Sequence, residues 1–187
     1  MRRISTDGAN RVEQRISKQR LDRDIARLAD RVAAQQPWRA VVGVANGGIY
    51  PAGKVADRLN LEYREIQLQA YRGRSKSAGV EIIRSLDDSE QGRGLLVVDD
   101  VVDSGDTALA IRAMLPRADF LSIYAKAEGA SRVEASGMGF RYAERFPQDV
   151  WIVFPWHQDG WAGEVPLSVA RYREQLHLDR AVPITRQ

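Results

Sequence analysis

The 187-residue sequence has no cysteine and no apolar stretch of membrane-spanning length. The lack of cysteine excludes a disulfide framework and thiolate metal clusters, and it is typical of a protein in the reducing cytoplasm. The N-terminal segment is basic and polar, so it lacks the apolar core of a secretory signal. We therefore expect a cytoplasmic protein that makes no contact with a membrane.

The sequence also has little excess charge of one sign. Its 28 Lys and Arg residues against 25 Asp and Glu residues give a formal net charge of +3. Arginine is spread over most of the chain instead of forming one basic block, which is typical of a solvated surface. We expect no nucleic-acid partner, while a phosphorylated small molecule suits this charge. A chain of this length predicts a single domain over 1–187.

The first half of the chain predicts a strand between two helices. Apolar residues at helical spacing indicate an amphipathic helix over 20–34, with Ser17 as its cap. The apolar run RAVVGVANGG then ends in a glycine pair, Gly47 and Gly48, and a second helix starts near Pro51. Strand, glycine turn and helix form one α/β unit.

The same alternation continues to the end of the chain. We predict strands at 61–69, 95–98, within 119–129 and within 131–149, an apolar run at 150–156, and helices at about 107–114 and within 166–179. Strands that alternate with helices predict an α/β fold with a mostly parallel central sheet flanked by helices. Ligands of such sheets bind beyond the carboxyl ends of the strands.

Two segments lack such a pattern. Residues 1–15 are expected to be flexible. Residues 71–84 combine glycine, serine and basic side chains without a stable period, which predicts a mobile loop that could act as a lid.

The segment VVDDVVDSGDTA places carboxylates at the end of an apolar strand. Its DSGDT part leads into a helix, so backbone amides and the positive helix end form an anion site that suits a monophosphate. Asp99 and Asp100 can accept hydrogen bonds from sugar hydroxyls or hold Mg²⁺. The alternative is that these two residues merely end a strand and that Asp103 caps a helix.

This segment resembles the phosphoribosyl-pyrophosphate (PRPP) motif of the type I phosphoribosyltransferases. These α/β enzymes transfer a phosphoribosyl group to a nitrogenous base with loss of pyrophosphate. An Asp at the place of Asp103 is typical of members that act on 6-oxopurines. Similarity to the bacterial xanthine-guanine enzymes extends over about 16–157 and includes WRAVVGVANGGIYPAGKVADRLN, FLSIYAKAEG and FPQDVWIVFPW.

The resemblance implies a role for each site residue. Asp103 would be catalytic and contact the base, and the other base-binding residues would be Lys126, Trp151, Ile152 and His157. PRPP would lie on Asn46, Gly47, Gly48, Asp99, Asp100, Ser104, Gly105, Asp106 and Thr107, with Asp100 on the side of Mg²⁺. A small hood over the strand ends would span 127–165.

Three departures from the family pattern leave alternatives open. Asn46 stands where an arginine is usual in the pyrophosphate turn, the lid is longer, and His157 replaces an Asp near the 2-substituent of the base. The chain could therefore be a regulatory or non-catalytic PRPP- or nucleotide-binding protein of the same fold, or it could act on a modified purine. The ranking of xanthine, guanine and hypoxanthine also stays open. Similar enzymes imply a homodimer or homotetramer.

Overall fold

The computed structural model describes residues 12–72, 78–84, 86, 88–158, 161 and 163–176. The chain forms β1 (Val12–Arg15), α1 (Lys18–Ala33), β2 (Ala40–Ala45), α2 (Ile49–Leu59), β3 (Glu62–Arg72), β4 (Ala78–Arg84), β5 (Leu95–Val102), α3 (Asp106–Met114), β6 (Asp119–Lys126), α4 (Ala127–Ala135), β7 (Phe140–Phe146), β8 (Val150–Val153) and α5 (Leu167–Gln175). A short 3₁₀ turn at Pro155–His157 follows β8.

The main sheet has six strands in the order β4-β3-β2-β5-β6-β7. Its neighbours from β3 to β7 pair in parallel, and only β4 pairs antiparallel at one edge. The residues of β2 and of the first half of β5 are almost all apolar and buried, because helices cover both faces of the sheet. The predicted α/β fold with a mostly parallel sheet is confirmed.

Two apolar cores lie on opposite faces of this sheet. The first joins α1 and α2 to the sheet through residues such as Leu28 and Val55, and the second contains Ile111 of α3 and Val133 of α4. Ser17 caps α1 as predicted, because its side chain accepts a hydrogen bond from the Arg20 N–H. The apolar stripe predicted for this helix is its buried face.

A second, two-stranded sheet joins residues 12–15 to residues 150–153. Its strands β1 and β8 pair in parallel, and the Ile16 N–H continues the ladder to the Val153 carbonyl at 2.9 Å. The expectation that 1–15 is flexible was therefore wrong for 12–15, whose order comes from a partner far away in sequence. Residues 1–11 lie outside the described residues.

The expected loop at 71–84 has regular structure at both ends. Strand β3 continues to Arg72, and β4 runs antiparallel beside it from Ala78 to Arg84. The interpretation as a loop without regular structure was wrong there, because cross-strand pairing supplies the order that no local period reveals. Residues 73–77, including Arg74 and Lys76, lie outside the described residues, and a closing motion stays a prediction.

The region predicted as a hood is divided between the two sheets. Residues 127–146 contain α4, which the sequence did not indicate, and the edge strand β7 of the main sheet. A hood therefore stays a prediction for β8 and the residues that follow it.

The last helix, α5, is held on α2 because the Asp57 carboxylate accepts hydrogen bonds from the Leu167 and Ser168 N–H groups at 2.9 and 2.8 Å. In the described parts of the chain, no helix is both long and apolar enough to cross a membrane.

Candidate active site

Three neighbouring parallel strands bring the predicted site residues to one edge of the main sheet. Strand β2 ends just before Asn46, β5 carries Asp99 and Asp100 near its end, and Lys126 is the last residue of β6. Since β2, β5 and β6 are adjacent in the sheet, their carboxyl ends meet. The convergence expected from the sequence is present for these segments.

Asp99 and Asp100, here called the carboxylate pair, lie against their own backbone. The Asp100 N–H donates to Asp99 Oδ1 at 2.9 Å, and the Val101 N–H donates to Asp100 Oδ1 at 2.7 Å. Burial and the neighbouring Asp100 charge raise the pKa of Asp99 well above its ordinary value, and burial raises the pKa of Asp100 to about 6. Two neighbouring carboxylates, of which Asp99 is buried and Asp100 partly buried, favour a cation or hydroxyl donors as ligands.

The glycine turn after β2 packs directly on the carboxylate pair. A Cβ atom on Gly47 would lie 2.4 Å from Asp100 Oδ2, and one on Gly48 would lie 2.5 Å from the Val98 carbonyl oxygen. Only glycine allows so close an approach of the two segments. The Gly48 N–H already donates to the Val44 carbonyl at 2.8 Å, so this amide is used inside the fold. Asn46 and Gly47 remain as the predicted donors of the turn.

Residues 104–107, here called the phosphate turn, run from the end of β5 into the first turn of α3. Gly105 has φ of 88° and caps α3 without a side-chain hydrogen bond, so the first-turn amides keep donors for an anion. The Asp106 carboxylate turns toward protein donors: Ser104 Oγ donates at 2.7 Å, and Arg132 of α4 lies at 2.8 Å. These two donors lower the pKa of Asp106.

A second group, here called the Lys126 cluster, consists of Asp103, Lys126, Gln148 and Trp151. Lys126 Nζ lies 3.0 Å from Asp103 Oδ2 and 5.6 Å from the centroid of the Trp151 ring. The Lys126 side chain is only 8% exposed, whereas that of Asp103 is 52% exposed. Trp151 is itself 44% exposed, while the next residue, Ile152, is buried. The cluster thus places a partly exposed tryptophan beside a buried cation.

Gln148 and Arg132 make contacts with the acidic motif that the sequence did not predict. Gln148 Nε2 donates to Asp103 Oδ1 at 3.0 Å across 45 positions of sequence. Arg132 donates to the Ser104 carbonyl and pairs with Asp106. Neither residue stands in the acidic motif, and the only signal for Gln148 is its place in the segment FPQDVWIVFPW.

His157 lies on the 3₁₀ turn that follows β8. The Phe154 N–H donates to its Nδ1 at 3.3 Å, and its ring packs edge-on against Phe154 and Trp156. Burial lowers the pKa of the imidazole below its ordinary value, which favours the neutral form. With Nδ1 as an acceptor, the neutral ring carries its proton on Nε2.

The carboxylate pair fits Mg²⁺ better than a metal held by protein ligands alone. Among the described residues there is no group of three or more His, Cys, Asp or Glu side chains that could hold a metal. Mg²⁺ is commonly bound by one or two carboxylates together with substrate oxygens and water. Hard oxygen donors on Asp99 and Asp100, beside an anion-binding turn, match that mode.

Comparison with known proteins gives consistent similarities. A family model described as a phosphoribosyl transferase domain matches residues 13–125. The chain is 30% identical over 145 residues to a xanthine-guanine phosphoribosyltransferase of Nitratidesulfovibrio vulgaris, covering 77% of this chain and 84% of the relative. It is 34% identical over 142 residues to the protein of the same name from Chromohalobacter salexigens, covering 75% and 82%. The crystal structure of a purine phosphoribosyltransferase from Pyrococcus horikoshii superposes with a TM-score of 0.66 at 22% identity, covering 81% of this chain and 99% of the other.

Proposed function

The chain belongs to the phosphoribosyl transferase domain family, and from this membership we propose that it is a Mg²⁺-dependent enzyme of purine salvage. It transfers the 5-phosphoribosyl group of PRPP to a 6-oxopurine and releases pyrophosphate. The observation that carries the purine assignment is the Lys126 cluster, in which a buried cation lies beside an exposed tryptophan. The names of the relatives from Nitratidesulfovibrio and Chromohalobacter support the same substrate class.

Lys126 and Trp151 account for recognition of the base. Lysine has three N–H donors, of which Asp103 takes one, so donors remain for the 6-oxo group of the purine. The same donors meet no acceptor on the 6-amino group of adenine, and unmatched polar groups of this kind discriminate strongly. Stacking on Trp151 contributes about 1–3 kcal/mol and does not depend on which purine is bound.

Asp103 accounts for the proton that the base must lose. The purine N9 forms a bond to C1 of PRPP while the bond from C1 to pyrophosphate breaks, with inversion and a transition state of oxocarbenium character. Asp103 accepts the N7 proton as electron density shifts toward N9. Lys126 and Gln148 each occupy one lone pair on a different oxygen of the carboxylate, so each oxygen keeps a further lone pair for N7.

The carboxylate pair and the two turns account for PRPP. Asp99 and Asp100 accept hydrogen bonds from the ribose hydroxyls, and the amides of the phosphate turn bind the 5′-phosphate. Pyrophosphate lies at Asn46 and Gly47. Asp100 would hold Mg²⁺, which would supply positive charge to the departing pyrophosphate. The chain itself contributes by fixing both reactants in line.

The decisive experiment is incubation with Mg²⁺-PRPP and a panel of bases, with nucleotide and pyrophosphate followed together. We expect product from at least one of xanthine, guanine and hypoxanthine, little from adenine, and a large loss of turnover in Asp103→Asn. The absence of product from every 6-oxopurine would overturn the proposed function and leave the regulatory alternative.

The state of His157 supports a preference for xanthine within this proposal. An imidazole with its proton on Nε2 is a donor, which pairs with the 2-oxo group of xanthine and not with the 2-amino group of guanine. Turnover of the three bases by wild type and by His157→Asp measures this directly. Unchanged ratios would remove His157 from the specificity argument.

Two further features belong to the same proposal. The basic segment 71–84 closes over bound PRPP to exclude water, and limited proteolysis with and without PRPP tests the closure. The chain assembles as a homodimer or homotetramer, for which light scattering on the purified protein is the test.

A further inference from the structure

We propose that Gln148 is a positioning residue that fixes the orientation of the Asp103 carboxylate for proton transfer. The inference rests on the role of Asp103 in the proposed function. It arises from the contacts of Gln148, which lies in the turn between β7 and β8.

The Gln148 amide joins two parts of the molecule. Its Nε2 donates to Asp103 Oδ1 at 3.0 Å and reaches the Asp103 carbonyl oxygen at 3.4 Å. Its Oε1 accepts a hydrogen bond from the Glu128 N–H at 3.0 Å, in the first turn of α4. One side chain therefore links a turn at the end of β5 to the start of the helix that follows β6.

The chemistry of its partners determines which way the amide faces. A backbone N–H such as that of Glu128 can only donate, so the oxygen of the Gln148 amide must lie toward it. The NH₂ group must then lie toward Asp103, whose ionised carboxylate can only accept. The helix α4 has no side-chain hydrogen bond from its N-cap residue, Lys126, so the Glu128 contact satisfies a first-turn donor.

Asp103 needs such a restraint. Its side chain is 52% exposed and stands on a turn, so surrounding atoms cover only about half of it. Lys126 binds one carboxylate oxygen, but an ammonium group is a flexible point charge that tolerates rotation of its partner. A second donor on the other oxygen removes this freedom, and the remaining lone pairs then point in a defined direction.

Two substitutions separate this role from a merely structural one. Gln148→Glu keeps an oxygen for the Glu128 N–H, and a carboxylate is favourable at a helix start. It replaces the donor facing Asp103 with a like charge. Gln148→Leu removes both hydrogen bonds while keeping a side chain of similar size. Gln148→Glu therefore shows whether the side chain at position 148 acts on Asp103 at all, and Gln148→Leu, which adds no charge, shows whether loss of the donor alone lowers kcat.

We expect kcat to fall about 10- to 100-fold in both variants, while the KM for PRPP changes less than about twofold because the carboxylate pair and the phosphate turn are untouched. The melting temperature of Gln148→Glu should match that of wild type, which keeps the test valid even if Gln148→Leu folds poorly. Ser131→Ala is the matched control, since it removes the hydrogen bonds of Ser131 Oγ to the Ala127 carbonyl and from Arg145 without reaching Asp103; its kcat should be unchanged.

The outcomes distinguish this inference from the proposed function. An inactive wild type would overturn the proposed function. An active wild type with full kcat in Gln148→Glu would overturn only the positioning role. A kcat loss in Ser131→Ala equal to that in Gln148→Glu would reduce Gln148 to a cap of α4.

Discussion

The carboxylate pair and the Lys126 cluster lie at the same edge of the sheet but differ in the donors that the protein supplies to their acidic side chains. In the Lys126 cluster the chain itself supplies Asp103 with an ammonium group at 3.0 Å and an amide at 3.0 Å. In the carboxylate pair, the donors described for Asp99 and Asp100 are the backbone amides of the next residues, Asp100 and Val101. The first arrangement is complete before a ligand arrives, and the second becomes favourable only when a ligand brings donors or positive charge.

This difference has an energetic consequence. A carboxylate that is paired and hydrogen-bonded adds to the stability of the fold or costs it little, while two neighbouring carboxylates of like charge, one of them buried, reduce it. Burial raises the pKa of both Asp99 and Asp100, so ionising either carboxyl costs more here than in water. Such a pair is typical of a site where stability is given up for binding.

The largest effect is expected from Asp100→Asn, which separates stability from function. Activity should fall by about 100-fold or more, because the metal-side carboxylate is lost. The melting temperature without PRPP and Mg²⁺ should stay equal or rise, because one of two neighbouring like charges is removed. Steady-state kinetics and thermal denaturation on the same preparation measure both.

Asp30→Asn is the control for this change. Asp30 of α1 forms an exposed ion pair with Arg58 of α2 at 2.7 Å. Neither residue belongs to the candidate site. Loss of the ion pair should leave activity and the melting temperature nearly unchanged, because an exposed ion pair adds little stability. A clear drop in melting temperature for Asp100→Asn alone would contradict the view that the pair is unfavourable without ligand.

Gly47→Ala tests the closeness of the glycine turn to the carboxylate pair. The added methyl group would lie 2.4 Å from Asp100 Oδ2, so either the turn or the carboxylate must move. We expect kcat/KM for PRPP to fall about 30-fold. Gly137→Ala is the control, since a Cβ there meets nothing within 4 Å, and its φ of 71° adds only backbone strain. Equal losses in both variants would point to stability instead of site geometry.

Local chemistry in the sequence predicted Ser17 as a helix cap and the acidic motif as a strand end beside an anion turn. Lys126 and Trp151 were proposed from the family resemblance, and their roles stay predictions. The parallel sheet followed from the alternation of strands and helices, and parallel neighbours then placed Asp103 and Lys126 together.

Apart from helix α4, the features that the sequence did not predict depend on distant partners. Strand β1 owes its order to β8, and β4 owes its order to β3. Gln148 matters because the turn before β8 comes close to Asp103. No residue type or spacing near these positions encodes such contacts, since tertiary pairing overrides weak local preference.

Trp151→Ala tests whether the base stacks on the partly exposed tryptophan of the Lys126 cluster. Loss of stacking should raise the KM for the base about 10-fold, with a smaller change in the KM for PRPP. Stability should change little, because the ring is 44% exposed. Trp151→Phe keeps an aromatic face and should recover most of the affinity. Equal KM values for the alanine and phenylalanine variants would show that stacking is not what holds the base.

The smallest effect is expected from Arg132→Ala, in which the lost side chain joins α4 to the phosphate turn. Arg132 pairs with Asp106 at 2.8 Å and also donates to the Ser104 carbonyl, so it holds the phosphate turn against α4. Both partners of the ion pair are about half exposed, and such a pair adds little stability. We expect the KM for PRPP to rise about threefold with no change in the KM for the base. Arg58→Ala removes an exposed ion pair of similar length elsewhere and should leave both KM values unchanged. A rise in the KM for the base would mean that Arg132 acts through Asp103, which would join the phosphate turn and the Lys126 cluster into one unit.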